Sequence, residues 1–307
     1  MKRRISQKKT KRKRSKHIRV FFAVFLVGLM TALAALTIKR PQPLSLRNNF
    51  SSLTQNLAIH TSIAPSPTKA LAFSIAKADA AMANLGYCVM APILFYHHVE
   101  PMSTAIKAGH QQFTVDNSVF DQQLLYLKSA GYKTASVDEV VQAIRTHRAF
   151  PAKTLALTFD DGYEDAYTYV LPLLKKYGFK GNFMFATGLL SNKGYISWAQ
   201  AKEIANSEGM FVYNHTVSHA ALGNISKEEV TREVLEAKKD IQEKLGKEST
   251  IFVYPYGSFS PEAITILQQQ GYIAALSTLP GMQQCEGIIM YLRRTRVGNA
   301  PLSLYGL

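Results

Sequence analysis

Between positions 90 and 297, short runs rich in Val, Ile and Phe alternate about seven times with longer stretches of helical periodicity. That alternation constrains the fold more than any other feature. Parallel strands need long crossovers, usually helices, so a strand–helix repeat predicts a parallel sheet covered by its own connections. In one domain of about 220 residues the economical closure is an α/β architecture, a (β/α) barrel that is partial or distorted, with about seven strands. The predicted strands are 90–96, 154–159, 181–186, 210–213, 250–254, 273–277 and 290–297; the predicted helices are 119–130, 137–146, 165–177, 198–206, 227–245 and 261–270. In such barrels the chemistry collects where strands end.

The first 86 residues read differently. Residues 1–19 hold eleven Lys and Arg and no acid, and residues 20–38 are nineteen in a row without a charge. At about 1.5 Å per residue a helix of that length nearly matches the roughly 30 Å hydrocarbon core of a bilayer. It is apolar on every face and follows a block of cations, which argues against a buried core helix. The cation asymmetry predicts a basic cytoplasmic tail (1–19), a transmembrane signal-anchor (20–38), an extracellular spacer with a short helix over 70–85 (39–86), and a domain (87–307) outside the cell membrane. A cleaved signal peptide ending near Ala32-Leu33-Ala34 is the alternative, and would leave the domain secreted.

The formal charge of +15 suggests a nucleic-acid partner until it is mapped. Sixteen of the 36 Lys and Arg precede position 79, where there is no acid; the other 20 face 21 acids, a net of −1. The basic character belongs to the leader, so no nucleic acid is expected as a partner. Cys88 and Cys285 would lie in an oxidising compartment that permits one bridge, and spacing leaves open whether they pair.

Four strand ends carry reactive residues. Thr158-Phe159-Asp160-Asp161-Gly162 sets two carboxylates directly after an apolar strand, although Asp-Gly is also an ordinary turn. His215 and His219 are four residues apart, a spacing that can aim two imidazoles at one metal. Tyr254-Pro255-Tyr256-Gly257 imposes a tight turn, and Tyr96-His97-His98-Val99 ends the first strand. One Asp and two His form a ligand set with positions left open for water and substrate, which suits a catalytic rather than a structural metal. Trp198, the only tryptophan, and Tyr195 and Tyr256 are candidates for stacking on a sugar face.

Together these motifs resemble the polysaccharide deacetylases, the carbohydrate esterase family with the NodB homology domain. Thr158 to Gly162 matches the TFDDG motif, His215 to His219 the H-[ST]-x-x-H motif, and Tyr254 to Gly257 the YPYG form of the third, over roughly residues 90–298. The resemblance is greatest to the branch that deacetylates poly-β-1,6-N-acetylglucosamine of biofilm matrix, through Tyr-His-His-Val, Tyr195-Ile-Ser-Trp198 and the Arg-bearing last strand. It implies that Asp161, His215 and His219 hold one divalent ion, commonly zinc with cobalt or nickel as alternatives, that Asp160 is the general base, and that the Tyr256 backbone N–H helps hold the oxyanion. Two departures matter. No histidine follows His219, so the usual late L-x-H acid is missing and His97 becomes the best proton donor. Val253 stands where an Arg normally orients the base, leaving Arg294 or Arg296, the former the better match. The expected function is metal-dependent removal of N-acetyl groups from an extracellular N-acetylglucosamine polymer; the alternatives are a peptidoglycan or chitin-oligomer deacetylase, and a non-catalytic glycan-binding module.

Overall fold

The computed structural model describes residues 85–307. The basic tail, membrane span and spacer helix expected before that point lie outside the described residues. Among the described residues no helix is long and apolar enough to cross a membrane.

In chain order the domain opens with β1 (Cys88–Met90), β2 (Ile93–Tyr96), β3 (His98–Glu100), α1 (Met102–Ala108), β4 (Thr114–Asp116) and α2 (Asn117–Ser129). The middle comprises β5 (Lys133–Thr134), α3 (Val137–Arg145), β6 (Thr154–Phe159), α4 (Leu171–Tyr177), β7 (Gly181–Phe185), α5 (Trp198–Asn206) and β8 (Met210–Asn214). It closes with α6 (Lys227–Asp240), β9 (Ile251–Val253), α7 (Pro261–Gln269), β10 (Ala274–Leu276), β11 (Gln283–Cys285) and β12 (Thr295–Arg296).

Seven strands follow one another in the order β10-β9-β8-β7-β6-β2-β12, every pair parallel, with β5 alongside the start of β6. The two edges meet at one segment. Leu292 bridges to Leu276 on one side, while Thr295 and Arg296 pair with Leu94 and Phe95 on the other. The result is the expected distorted barrel, with a thin seam where its last strand is only two residues long.

Both faces of the sheet are covered, and all six residues of β6 are buried, as a parallel strand between helices and a barrel interior requires. Leu155, Leu157 and Phe159 pack with α2 and α4, while Ala156 joins Ile93, Met184 and Val253 on the opposite face. Period-2 alternation therefore carries the Ala156–Thr158 face on to Asp160 at the mouth. Helices α3, α5 and α6 each start at a serine (Ser136, Ser197, Ser226) in a reciprocal capping box with Glu139, Gln200 and Glu229.

The structure differs from the sequence expectations in three places. The strand expected over 90–96 is broken, because Pro92 has no N–H to give a ladder; β1 instead pairs antiparallel with β11, and only β2 enters the barrel. That pairing sets Cys88 opposite Cys285, and the two form a disulfide across a sequence separation of 197. The strand expected over 290–297 is mostly not strand: residues Glu286–Tyr291 make 3₁₀ turns before β12. The α1 helix and the parallel β3–β4 pair were not anticipated, since α1 is short and its only buried residue is Ala105.

Candidate active site

At the end of β6 the Asp160 amide still donates to the Tyr96 carbonyl at 3.0 Å, as if the strand continued. Asp161 (φ 76°) and Gly162 (φ 84°) then both turn left-handed. For Asp161 that conformation costs about 1–2 kcal/mol. Gly162 is required twice over, because a Cβ there would also lie 2.8 Å from the Leu190 side chain. Further left-handed residues, Thr216 (φ 69°) and His219 (φ 61°) after β8 and Tyr256 (φ 59°) after β9, crowd the same end of the barrel. Strain gathered at one place marks a functional site.

Asp161 Oδ1 lies 3.2 Å from His215 Nε2 and 3.0 Å from His219 Nε2. The Nδ1 of His215 is 2.8 Å from the Val253 carbonyl, so it is the donor there, and Nε2 of the neutral ring presents a lone pair to Asp161. Two acceptors thus face each other, and Asp161 Oδ1 is buried with no hydrogen-bond donor. A cation resolves that. The three ligand atoms lie within 4.8 Å of one another, and ligands of a tetrahedral zinc sit about 3.3 Å apart, so these residues fit a divalent ion. Burial opposes ionisation of the Asp161 carboxyl; with no ion bound, it is hydrogen bonding and charge from His215 and His219 once they are protonated that hold it well below the ordinary value.

Asp160 is clamped from the opposite side. Arg294 grips it as a fork, Nη1 to Oδ1 and Nη2 to Oδ2, both at 2.8 Å, and its Nε donates to the Ser277 carbonyl at 2.8 Å. The guanidinium lies 4.5 Å over the Phe95 ring, and both partners of the pair are buried. Burial pushes the Asp160 carboxyl up, but the Arg294 charge above all, then His215 and His97, brings it below its usual value. The carboxylate is ionised at neutral pH. Of the two arginines considered, Arg294 takes this place; Arg296 donates instead to the Gln112 carbonyl at 2.6 Å and lies over Phe113 at the cleft edge.

His97 is half-buried on the same cleft, its ring against Phe95 and Phe113, each 5.7 Å away. Burial pushes its imidazole below 6.5, against the pull of Asp160 and Asp161. His98 turns away, with Nδ1 2.6 Å from Asp165 Oδ2 and its ring stacked between Tyr163 (3.7 Å) and His110 (3.9 Å). His98, Glu100 and His110 also bring three potential metal donors together. However, the two imidazoles lie parallel, 7° apart, so their lone pairs do not converge on one point and the group is a ring stack.

His97, Asp160, Asp161, His215, His219 and Arg294 line one cleft of about 710 Å³, with Tyr195 and Tyr256 among its walls. Trp198 is not among them, contrary to expectation. As the first residue of α5 it packs against the core cluster, and the Lys244 ammonium covers its ring at 4.2 Å. The aromatic places go instead to Phe113 and Tyr163. Tyr163 directly follows Asp-Asp-Gly and could have been read from that; Phe113, which belongs to an apolar pattern with Phe120, Leu124 and Leu127, sits in a three-residue turn before β4.

A family model described as polysaccharide deacetylase matches residues 147–275. YxkH of Bacillus subtilis, assigned by name to the polysaccharide deacetylases, is 28% identical over 206 residues, covering 67% of this chain and 71% of the relative. The poly-β-1,6-N-acetyl-D-glucosamine N-deacetylase of Escherichia coli is 24% identical over 220 residues, and the match spans only 32% of its length. Among solved structures, the Streptococcus pyogenes deacetylase PplD in complex with acetate superposes with a TM-score of 0.65 at 29% identity, over 70% of this chain and 96% of that one. IcaB from Ammonifex degensii gives 0.60 at 25% identity, over 69% and 92%. The sequence motifs, the barrel that brings them together and these relatives agree, and the chain carries a polysaccharide deacetylase domain, matched over residues 147–275 and shared with hydrolases of that kind.

Proposed function

We propose that this enzyme removes N-acetyl groups from the N-acetylglucosamine residues of poly-β-1,6-N-acetylglucosamine, and that it uses one divalent ion, zinc, held by Asp161, His215 and His219. One observation carries the choice of polymer. The partner of Asp160 and the candidate proton donor come from the last and first barrel strands, as Arg294 and His97, where the resemblance to that branch implies them. The Escherichia coli relative supports the same reading.

When bound, the ion supplies Lewis acidity at the acetamide carbonyl and at the attacking water. Asp160, ionised and fixed by the Arg294 fork, keeps a lone pair on each oxygen and takes the proton from that water. The backbone N–H of Tyr256 faces the charge that develops on the carbonyl oxygen. Burial favours the neutral form of His97, so the proton it gives to the leaving nitrogen is one it first receives, the proton that Asp160 took from the water. The C–N bond breaks, giving acetate and a free amine. Tyr195, Tyr256, Phe113 and Tyr163 provide ring faces for the sugar. The leader would tether this domain to the outer face of the cell membrane through the span at 20–38.

A second reading, peptidoglycan as the polymer, has support from a Bacillus cereus peptidoglycan-N-acetylglucosamine deacetylase that is 31% identical over 125 residues. The test is acetate release from β-1,6-linked N-acetylglucosamine oligomers, run beside β-1,4 oligomers and peptidoglycan. We expect release from the β-1,6 oligomers, lost on chelation, and about 10²–10⁴-fold slower in Asp160→Asn. Release from peptidoglycan alone would overturn the choice of polymer. No acetate from any of the three, with metal bound, would leave a glycan-binding module.

A further inference from the structure

Helix α6 buries Val230, Glu233, Val234 and Ala237, the i, i+3, i+4, i+7 stripe of an amphipathic helix. A carboxylate has no place on such a stripe unless something satisfies it. Glu233 is 4% exposed, and its oxygens are taken up by one short stretch of chain. Oε2 accepts the backbone N–H groups of Val217 at 2.9 Å and Ser218 at 2.8 Å, and Oε1 accepts the Ser218 hydroxyl at 2.8 Å. The Arg232 guanidinium is 3.9 Å away at the edge.

Val217 and Ser218 lie between His215 and His219. The residues on either side of them, Thr216 and His219, are the left-handed ones. A non-glycine chain does not hold two such conformations three residues apart unless its surroundings dictate them. Asn214 Oδ1 fixes the first by accepting the Thr216 N–H at 2.8 Å. Glu233 fixes the stretch between them.

We propose that Glu233 is a positioning residue, which sets His215 and His219 for metal binding through its three hydrogen bonds to Val217 and Ser218. The inference rests on the reading that Asp161, His215 and His219 hold a divalent ion. It is read out as metal affinity rather than turnover.

Zn²⁺ would be titrated against a chromogenic chelator in wild type, Glu233→Leu and Val234→Ala. Glu233→Leu suits the apolar stripe and removes both acceptor oxygens, whereas a glutamine could still accept the two N–H groups with its oxygen and donate to the Ser218 hydroxyl. We expect Glu233→Leu to bind Zn²⁺ about 10–100-fold more weakly, as when a group supporting a metal ligand is lost, while the metal-free protein still unfolds cooperatively. Val234→Ala, on the same buried stripe, should lower the melting temperature and leave affinity unchanged. Wild-type affinity in Glu233→Leu would overturn the proposal, as would an equal loss of affinity in Val234→Ala. If Glu233→Leu does not fold, Ser218→Ala removes one of the three bonds from the loop side, and an unchanged affinity there counts against the proposal. A wild-type protein that binds no Zn²⁺ would instead overturn the metal reading itself.

Discussion

The cleft has two halves, built by different means. Asp161, His215 and His219 follow β6 and β8, strands with neighbours on both sides in the middle of the sheet. His97 and Arg294 come from β2 and from the segment leading into β12, next to the seam. The inner half is held by the sheet and by strained turns that packing dictates. The outer half is held by cross-links: the Arg294–Asp160 fork, the Cys88–Cys285 bridge, and the buried Gln284. The Gln284 amide donates to the Ala91 and Arg293 carbonyls, and its Oε1 accepts from the Arg293 N–H. Where backbone pairing is thin, side chains hold the register.

The most damaging way to break this contrast is Arg294→Met, which leaves Asp160 buried without its cation. Removing one partner of a buried pair costs about 3–5 kcal/mol, and chemical denaturation should show a loss of that size together with a collapse of acetate release. A loss below about 1 kcal/mol would mean the seam does not depend on the fork. Next in size is the double change Cys88→Ser with Cys285→Ser. We expect a loss of about 2–5 kcal/mol, since the bridge closes a long loop in the unfolded chain, with Zn²⁺ affinity unchanged because the inner half does not rest on it. An equal fall in affinity would dissolve the distinction between the halves.

The smallest effect is on acid stability. Asp160 and Asp161 both ionise more readily in the folded chain than the ordinary 3.8. Their contribution is therefore complete above about that pH and is lost as pH falls through the lower folded values. Melting temperatures of the chelated protein should drop below pH 3.8, and Arg294→Met should flatten that acid limb by raising Asp160. An acid limb as steep as wild type would assign the effect to Asp161 alone.

The same contrast governs what could be read in advance. Strand 154–159 and helix 198–206 have the bounds expected of them, because burial, capping and periodicity agree there. The ligand residues lie in contiguous motifs, so spacing paired His215 with His219, and the resemblance chose Asp161 rather than Asp160 to join them. Arg294 needed a resemblance, since no local pattern links it to an aspartate 134 positions earlier. The disulfide stayed open because it depends on β1 leaving the barrel at Pro92. Trp198 misled for a related reason: a residue that opens a helix and stacks under a lysine looks, in sequence, like one that faces a sugar. Glu233 was visible as a charge on the apolar stripe of the clearest helix, but its partner loop was not.

The bridge at the base of the barrel makes the stretch from Cys88 to Cys285 a covalent ring, and both aspartates, both ligand histidines and His97 lie on it. A protease that nicks any one loop within the ring opens it without dividing the molecule. Every group of the cleft except Arg294 and Arg296 sits inside that perimeter, and Arg294 follows the closing cysteine by nine positions. A single cut within the ring is therefore a scar rather than a severance.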